Sequence, residues 1–286
     1  MGFKGLFVGL CTIDSQFLVN KFPSSNSKVK ASDYGIYTGG PATNAAITFS
    51  FLGGKSHLVS SIGKHLFHNF ILDELKTFNL KITDITPHSH TNPTLATVIT
   101  TKRNGARAVI SYNPKDIRTS TSILNSFNIL NFNIVLVDGF HMEYCIKISS
   151  LANKNNIPVI FDGGSWKEGM GDLLNNIDIA ICSENFSPPG IKSKKKVIKF
   201  LRKKEVNSVA ITRGHKPIMI YEKNKLSKIR VSKIEVVDTL GAGDIFHGAF
   251  CYYYLKSNDF KNAIKEAVDI AAKSCLSFGT REWMKK

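Results

Sequence analysis

No apolar run in this sequence approaches the roughly 20 residues that a membrane-crossing helix requires, so no membrane partner is expected. The N-terminal apolar patch Leu6 to Ile13 is short, stops at Asp14 and lacks a cleavage-site pattern, which argues against a secretory leader. Cysteine is scarce. Cys11, Cys145, Cys182, Cys251 and Cys275 stand without C-x-x-C spacing, mostly in apolar segments. That excludes a disulfide framework and a cysteine metal site, and points to reduced thiols in a cytoplasmic protein. Acidic residues are also few, 22 against 38 Lys and Arg, leaving a net charge of +16. Such an excess raises nucleic acid as a partner. Its densest piece, Lys192 to Lys204, nevertheless carries Val197, Ile198 and Leu201 as an apolar stripe at helical spacing. Lysines on the other faces of an amphipathic surface helix need no ligand. No aromatic residues interleave with them, so nucleic acid is not expected as a partner.

What is present suffices for a large core: 43% of the 286 residues are hydrophobic. Short apolar runs alternate with helical patterns through Ile134–Val137, Val159–Phe161, Ile177–Ile181 and Val209–Ile211. This alternation, with short joins, is what a parallel sheet flanked by helices requires. The turns after these runs are polar or glycine-containing, and in an open α/β sheet ligands bind along that edge.

The most informative stretch is Asp238-Thr239-Leu240-Gly241-Ala242-Gly243-Asp244, followed by the apolar run Ile245 to Leu255. Ile229 to Val237 reads as a strand before it, giving strand, glycine turn and helix. Gly241 and Gly243 would let backbone N–H groups approach a ligand. The positive end of the following helix would then face an anion. Asp244 at its mouth suits a general base, although Asp is also a common helix N-cap. A dinucleotide fingerprint is excluded by spacing, because Phe246 stands where the third small residue belongs.

A second stretch reads Gly39-Gly40-Pro41-Ala42-Thr43-Asn44, with Pro41 suited to the first turn of a helix. Gly54-Lys55-Ser56 is no P-loop, since Phe49 occupies the position of its first glycine. Further on, Asn104-Gly105 between Leu95–Thr101 and Arg107–Tyr112 is a strong hairpin signal. His65 and His68 lie without a third metal ligand in spacing and read as surface residues. His247, in an apolar helix, reads as a satisfied core residue.

In the correct order, the heptad and the Gly-Gly-to-Asn44 stretch resemble the two signatures of the ribokinase-like (PfkB) carbohydrate kinases. The resemblance implies a three-layer α/β/α fold with a mostly parallel central sheet and a small β-sheet lid. It implies one kinase domain over residues 1–286, with lid strands from about 16–37 and 94–112, and pairing of two lids into a homodimer. The implied reaction moves the γ-phosphoryl of ATP to a hydroxymethyl group of a small sugar, with Mg2+. By the match of motifs, Asp244 is the base and the amides of Gly241, Ala242 and Gly243 form the anion hole. Asp14, Gly39, Gly40 and Asn44 hold the acceptor, while Ser183, Thr212, Gly214 and Gly243 lie at the nucleotide. The segment Phe278–Arg281 would border the adenine. One departure matters. Where many relatives read Asn-x-x-Glu, this chain has Ser183 and Phe186, so the usual acid at magnesium is missing, as in the ketohexokinase branch. A nucleoside kinase of the same fold and a catalytically weak sugar-sensing protein are the alternatives.

Overall fold

The computed structural model describes residues 2–114, 119, 124 and 127–285. In chain order its elements are β1 (Lys4–Val8), β2 (Thr12–Val19), β3 (Asp33–Gly39), α1 (Pro41–Phe51), β4 (Lys55–Ser60), α2 (His68–Thr77), β5 (Lys81–Asp84), β6 (Thr94–Thr101) and β7 (Arg107–Tyr112). There follow β8 (Ile134–Val137), α3 (Met142–Lys154), β9 (Val159–Gly163), α4 (Met170–Leu173), β10 (Ile179–Ser183) and α5 (Lys194–Lys203). The chain closes with β11 (Ser208–Arg213), β12 (Lys216–Glu222), β13 (Lys225–Ile229), α6 (Ala242–Ser257) and α7 (Phe260–Ser274).

Nine strands form one sheet in the order β13-β12-β11-β10-β9-β8-β1-β4-β5. All neighbours are parallel except β11–β12 and β12–β13, which pair antiparallel. Alternation along each strand feeds two cores, as strand geometry requires. In β1, Phe7 packs with α1, α6 and α7 residues such as Ala45, Phe250 and Ala267. Leu6 and Val8 face the opposite side, with Tyr144 and Cys145 of α3 and Leu201 of α5. Helices therefore cover both faces, and a mostly parallel sheet lies between two helical layers, as the resemblance implies. The lysine-rich α5 buries Val197, Ile198 and Leu201, as its spacing predicts.

A second sheet runs β3-β2-β6-β7, with β2 and β6 parallel and the outer pairs antiparallel. Both arms of the Asn104-Gly105 hairpin fall in it. Register puts Phe17, Tyr34, Ile36, Leu95, Ile110 and Tyr112 on one face, and all six are exposed. Asp14, Gln16 and Arg107 share the other face, which is turned toward the large sheet.

Asp14 lies inside β2, because the first strand ends at Val8 and the chain enters the second sheet at Thr12. Two expectations change. The strand read over Ile229–Val237 stops at Ile229; beyond it, Val231, Ile234 and Val236 line a cleft instead of pairing. His65 and His68 are half-buried, not surface residues. They brace the Gly63 turn: His68 Nδ1 lies 2.5 Å from the Gly63 carbonyl, and His65 Nδ1 accepts from Phe67 N–H.

Candidate active site

Gly241 makes the turn into α6 with φ 68°, and Ala242 is the first helical residue. A β-carbon is disfavoured at that φ, so glycine is needed there. The helix begins three residues earlier than the apolar run suggests. Asp244 therefore sits within the first turn and is not the N-cap. Ala242 N–H turns back to the Thr239 carbonyl at 3.3 Å, and Ile245 N–H donates to Gly241 at 2.8 Å. The amides of Gly241, Gly243 and Asp244 have no acceptor among the described residues. Gly243 is exposed, and a β-carbon there would meet nothing within 4 Å. Open N–H groups at a helix N-terminus are groups to which anions can bind.

Asp244 Oδ2 accepts from Asn44 Nδ2 at 2.8 Å. Asn44 stands in the first turn of α1, whose backbone is held by Asp138: its carboxylate accepts from Leu10, Ala42 and Phe140 N–H. The Asn44 carbonyl accepts from Arg281 Nη1 at 2.9 Å. A carboxylate on one side and a guanidinium on the other fix which way this amide points. Arg281 is itself buried. It donates Nη2 to the Thr38 carbonyl at 2.5 Å and Nε to Glu74 Oε1 at 3.1 Å, while Glu74 Oε2 accepts from Thr38 N–H at 2.6 Å. Neither Glu74 nor Arg281 belongs to either signature, so no local pattern marks this chain of bonds. The 278–281 segment thus lies against Asn44 and Thr38, on the Asp14 side. It does not line the cleft described below, where an adenine was expected to meet it.

Burial drives the Asp244 carboxyl up to about 7, and the like charge of Asp162 pushes it the same way. The Asn44 hydrogen bond, His247 and Arg107 oppose the rise. His247 is a satisfied core residue: Nδ1 lies 2.7 Å from the Gly243 carbonyl and Nε2 3.1 Å from that of Ile181. Asp162 Oδ2 is 3.4 Å from its Nδ1.

Asp14 is buried in β2 and accepts from Thr12 Oγ1 at 2.6 Å. Burial raises its proton affinity; the Thr12 bond and the Arg281 charge lower it. A β-carbon on Gly39 would fall 2.0 Å from Asp14 Oδ2, and one on Gly40, at φ 99°, 2.3 Å from the Leu10 carbonyl. The Gly-Gly pair is what lets this carboxylate and the start of α1 come together. Asp14 thus packs against the Gly39-Gly40 entry to α1, the helix from which Asn44 reaches Asp244.

Across α6 from them opens a cleft of about 690 Å³, lined by Thr212 near the end of β11, Gly214 just after it, Ala242 and Gly243, and apolar side chains including Val236 and Val268. Its size and apolar walls suit a nucleotide base and ribose. Ser183 does not line it. The Ser183 hydroxyl donates to the Gly164 carbonyl at 2.9 Å and accepts from Asn185 N–H. Phe186 is fully buried, so an apolar side chain stands at the one position of this turn where the resemblance implies an acid. Among the described residues no three His, Cys, Asp or Glu side chains form a metal cluster.

Open amides at a helix N-terminus, a carboxyl of raised proton affinity beside them and a cleft meeting both are the parts that phosphoryl transfer calls for. The pfkB family carbohydrate kinase model matches residues 4–286, and the chain belongs to that family. Ribokinase of Lactococcus lactis is 22% identical over 98% of this chain and 93% of its own length. A nucleoside kinase of Methanocaldococcus jannaschii is 25% identical over 94% of this chain and 90% of its own. The structure of ribokinase from Giardia lamblia superposes with a TM-score of 0.81, covering 99% of this chain and 96% of that one at 16% identity. The protein is a kinase of sugars or nucleosides.

Proposed function

We propose that this enzyme transfers the γ-phosphoryl group of ATP to a hydroxymethyl group of a small carbohydrate. The observation that carries the reading is the Asn44–Asp244 contact at 2.8 Å beside the open amides of the α6 turn. Asp244 takes the proton of the acceptor hydroxyl as its oxygen attacks the γ-phosphorus. The amides of Gly241, Gly243 and Asp244 stabilise charge on the moving phosphoryl group. Ala242 supplies its backbone to the turn while its own amide stays on Thr239. Asp14 and Asn44 bind the non-reacting hydroxyls, and Gly39 and Gly40 give the acceptor close access to the backbone. Thr212 and Gly214 border the nucleotide. Ser183 acts on it only by shaping the turn through Gly164. Magnesium would arrive on the nucleotide's phosphates with most of its water, as this ion commonly does.

The four-stranded sheet is the lid that excludes water from the transfer. Its six exposed apolar residues support a homodimer joined lid to lid, in which each covers the other. Five buried, unpaired cysteines fit a reducing cytoplasm. No helix among the described residues is long and apolar enough to cross a membrane.

A nucleoside acceptor is the second reading, favoured by the 25% identity to the archaeal nucleoside kinase. The lack of an acid at Phe186 favours a third, a sugar-sensing binding protein with weak catalysis. One experiment separates them: ATP turnover with Mg2+ against a panel of pentoses, hexoses, ketoses and nucleosides. Turnover confined to nucleosides defeats the carbohydrate assignment. Tight sugar binding without turnover defeats catalysis.

A further inference from the structure

Beside the Gly63 turn lies a small cavity of about 20 Å³, room for one water molecule or one hydroxyl group. Leu10, Thr94 and His141 are among the residues that line it. Two of these also shape the Asp14 side of the site. The Leu10 carbonyl accepts from Thr43 Oγ1 at 2.9 Å, and it is the group that a β-carbon on Gly40 would strike. Thr94 opens β6 and stands in register with Thr12 of β2, whose hydroxyl donates to Asp14. Strand alternation keeps Thr12, Thr94 and Asp14 on one face of the lid. The cavity and Asp14 therefore share a wall.

Most of the polar lining is already bonded. Ser61 Oγ lies 2.8 Å from Thr86 Oγ1, which donates in turn to Asp84, and Ser89 Oγ accepts from Thr91 N–H. His141 differs. Its Nε2 is buried without a hydrogen-bond partner among the described residues, a state that is costly for a polar atom. The ring is also held in place against local preference. His141 precedes α3 with φ 52°, left-handed backbone that is uncommon outside glycine. Its carbonyl accepts from Tyr144 and Cys145 N–H. One residue earlier, Phe140 N–H donates to Asp138, the carboxylate that also holds Leu10 and Ala42. One buried acid thus ties the backbone next to His141 to the entry of α1, the helix that carries Asn44. Burial drives the imidazole down to about 4. It is therefore neutral near pH 7, and a neutral ring nitrogen pairs with a hydroxyl as donor or as acceptor.

Resting on the carbohydrate reading above, we propose that His141 is a specificity-determining residue of the acceptor site, receiving through Nε2 a sugar hydroxyl that is not phosphorylated. The acceptor is then a polyhydroxylated sugar with one hydroxyl beyond those that Asp14 and Asn44 bind. The cavity admits that group and little else. A sugar lacking it leaves the buried nitrogen unanswered, which is how a polar site rejects a close analogue. The hydroxyl does not react, so its bond is alike before and during transfer. His141 therefore sets which sugar is taken and leaves the rate of the chemical step alone.

The test uses the full chain as wild type, His141→Asn and His141→Gln. It compares kcat/KM for the sugar that wild type turns over best with kcat/KM for each singly deoxygenated analogue of that sugar. Asparagine tolerates the left-handed backbone but has a shorter reach, while glutamine carries an amide near the place of Nε2. At one position wild type should prefer the parent sugar by about tenfold. In His141→Asn that preference should shrink to about twofold or less, through a raised KM for the parent at nearly unchanged kcat. His141→Gln should restore part of it, and preferences at the other positions should stay. A purely structural His141 would shift parent and analogues alike, and ratios taken on one preparation cancel any loss of folded enzyme. Unchanged ratios at every position in His141→Asn, with turnover intact in wild type, would overturn the role of His141 alone. A wild-type chain that turns over no sugar would overturn the carbohydrate reading, and the role of His141 with it.

Discussion

Asn44 and Asp244, 200 residues apart in the chain, meet at 2.8 Å, each in the first turn of its own helix. The acceptor-side residue and the proposed base are thereby coupled directly. The contact sets the roles of the two carboxylates apart. Asp244 has an amide donor and open backbone N–H groups around it. Asp14 has the Thr12 hydroxyl and burial.

Asp244→Asn should stay folded and lose about 10²–10⁴-fold in kcat, the range of a lost general base, with ATP affinity nearly unchanged. Steady-state kinetics with a thermal melt check this. A folded variant with wild-type kcat would refute the mechanism.

The raised proton affinity of Asp244 gives two opposite pH trends. As a base it must be ionised, so kcat should climb as pH rises toward and through about 7, then level off. Stability runs the other way. Between its unfolded value near 3.8 and its folded value near 7, the folded state binds the extra proton, so this group's contribution falls as pH rises through that window. Urea melts of wild type and Asp244→Asn from pH 4 to 8 should show the variant gaining on wild type toward neutrality. A constant difference would show that the carboxyl is not perturbed.

Asp14→Asn should act mainly on KM for the acceptor, by about 10–100-fold if it removes a charged hydrogen bond made equally before and during transfer. A drop in kcat alone would place Asp14 in the chemistry instead.

Local chemistry was readable in the sequence; long-range partnership was not. The turn at Gly241–Asp244, the Gly39-Gly40 entry to α1 and the Asn104-Gly105 hairpin each depend on neighbours a few residues away, and their glycines announce them. The sheet showed in alternating apolar runs, because burial on both faces leaves that pattern. By contrast, Arg281 reaches Asn44 across 237 residues and Gln16 reaches Asp238 across 222. Nothing near Arg281, Glu74 or Gln16 marks them as partners. The strand misread at Ile229–Val237 has a related cause. Apolar alternation says that side chains will be buried, but not whether a neighbouring strand or a cleft wall receives them.

Arg281→Met tests the hidden chain of bonds. It leaves the partly buried Glu74 without its charge partner, so the cost should fall below the roughly 3–5 kcal/mol of breaking a fully buried pair from one side. The double variant Arg281→Met with Glu74→Leu should recover much of that stability while acceptor KM stays raised, since Asn44 has lost its orienting donor. Chemical melts and kinetics on the single and double variants check both halves. Recovery of KM together with stability would mean that Arg281 only supports the fold.

The last prediction concerns the distance between the two helices that carry Asn44 and Asp244. Gly248 lies one turn beyond Asp244 on α6, facing α1. A β-carbon at Gly248 would stand 2.2 Å from the Ala45 carbonyl and 2.8 Å from Thr48 Cβ. Backbone lies on one side of that clash and a short β-branched side chain on the other, so neither can swing away. Gly248→Ala must therefore push α1 and α6 apart, even though alanine is the better helix former by about 1 kcal/mol. Overpacking of this kind costs roughly 1–3 kcal/mol in stability. The added separation also stretches the 2.8 Å contact between Asn44 and Asp244, and a misplacement near 1 Å can cost about 10²-fold in rate. Gly248→Ala should thus lower both Tm and kcat although the residue touches no substrate. Gly243→Ala, where a β-carbon meets nothing within 4 Å, should keep its Tm and suffer only where ligand approaches the turn. Equal melts for wild type and Gly248→Ala would show that the helices are not held at the spacing described.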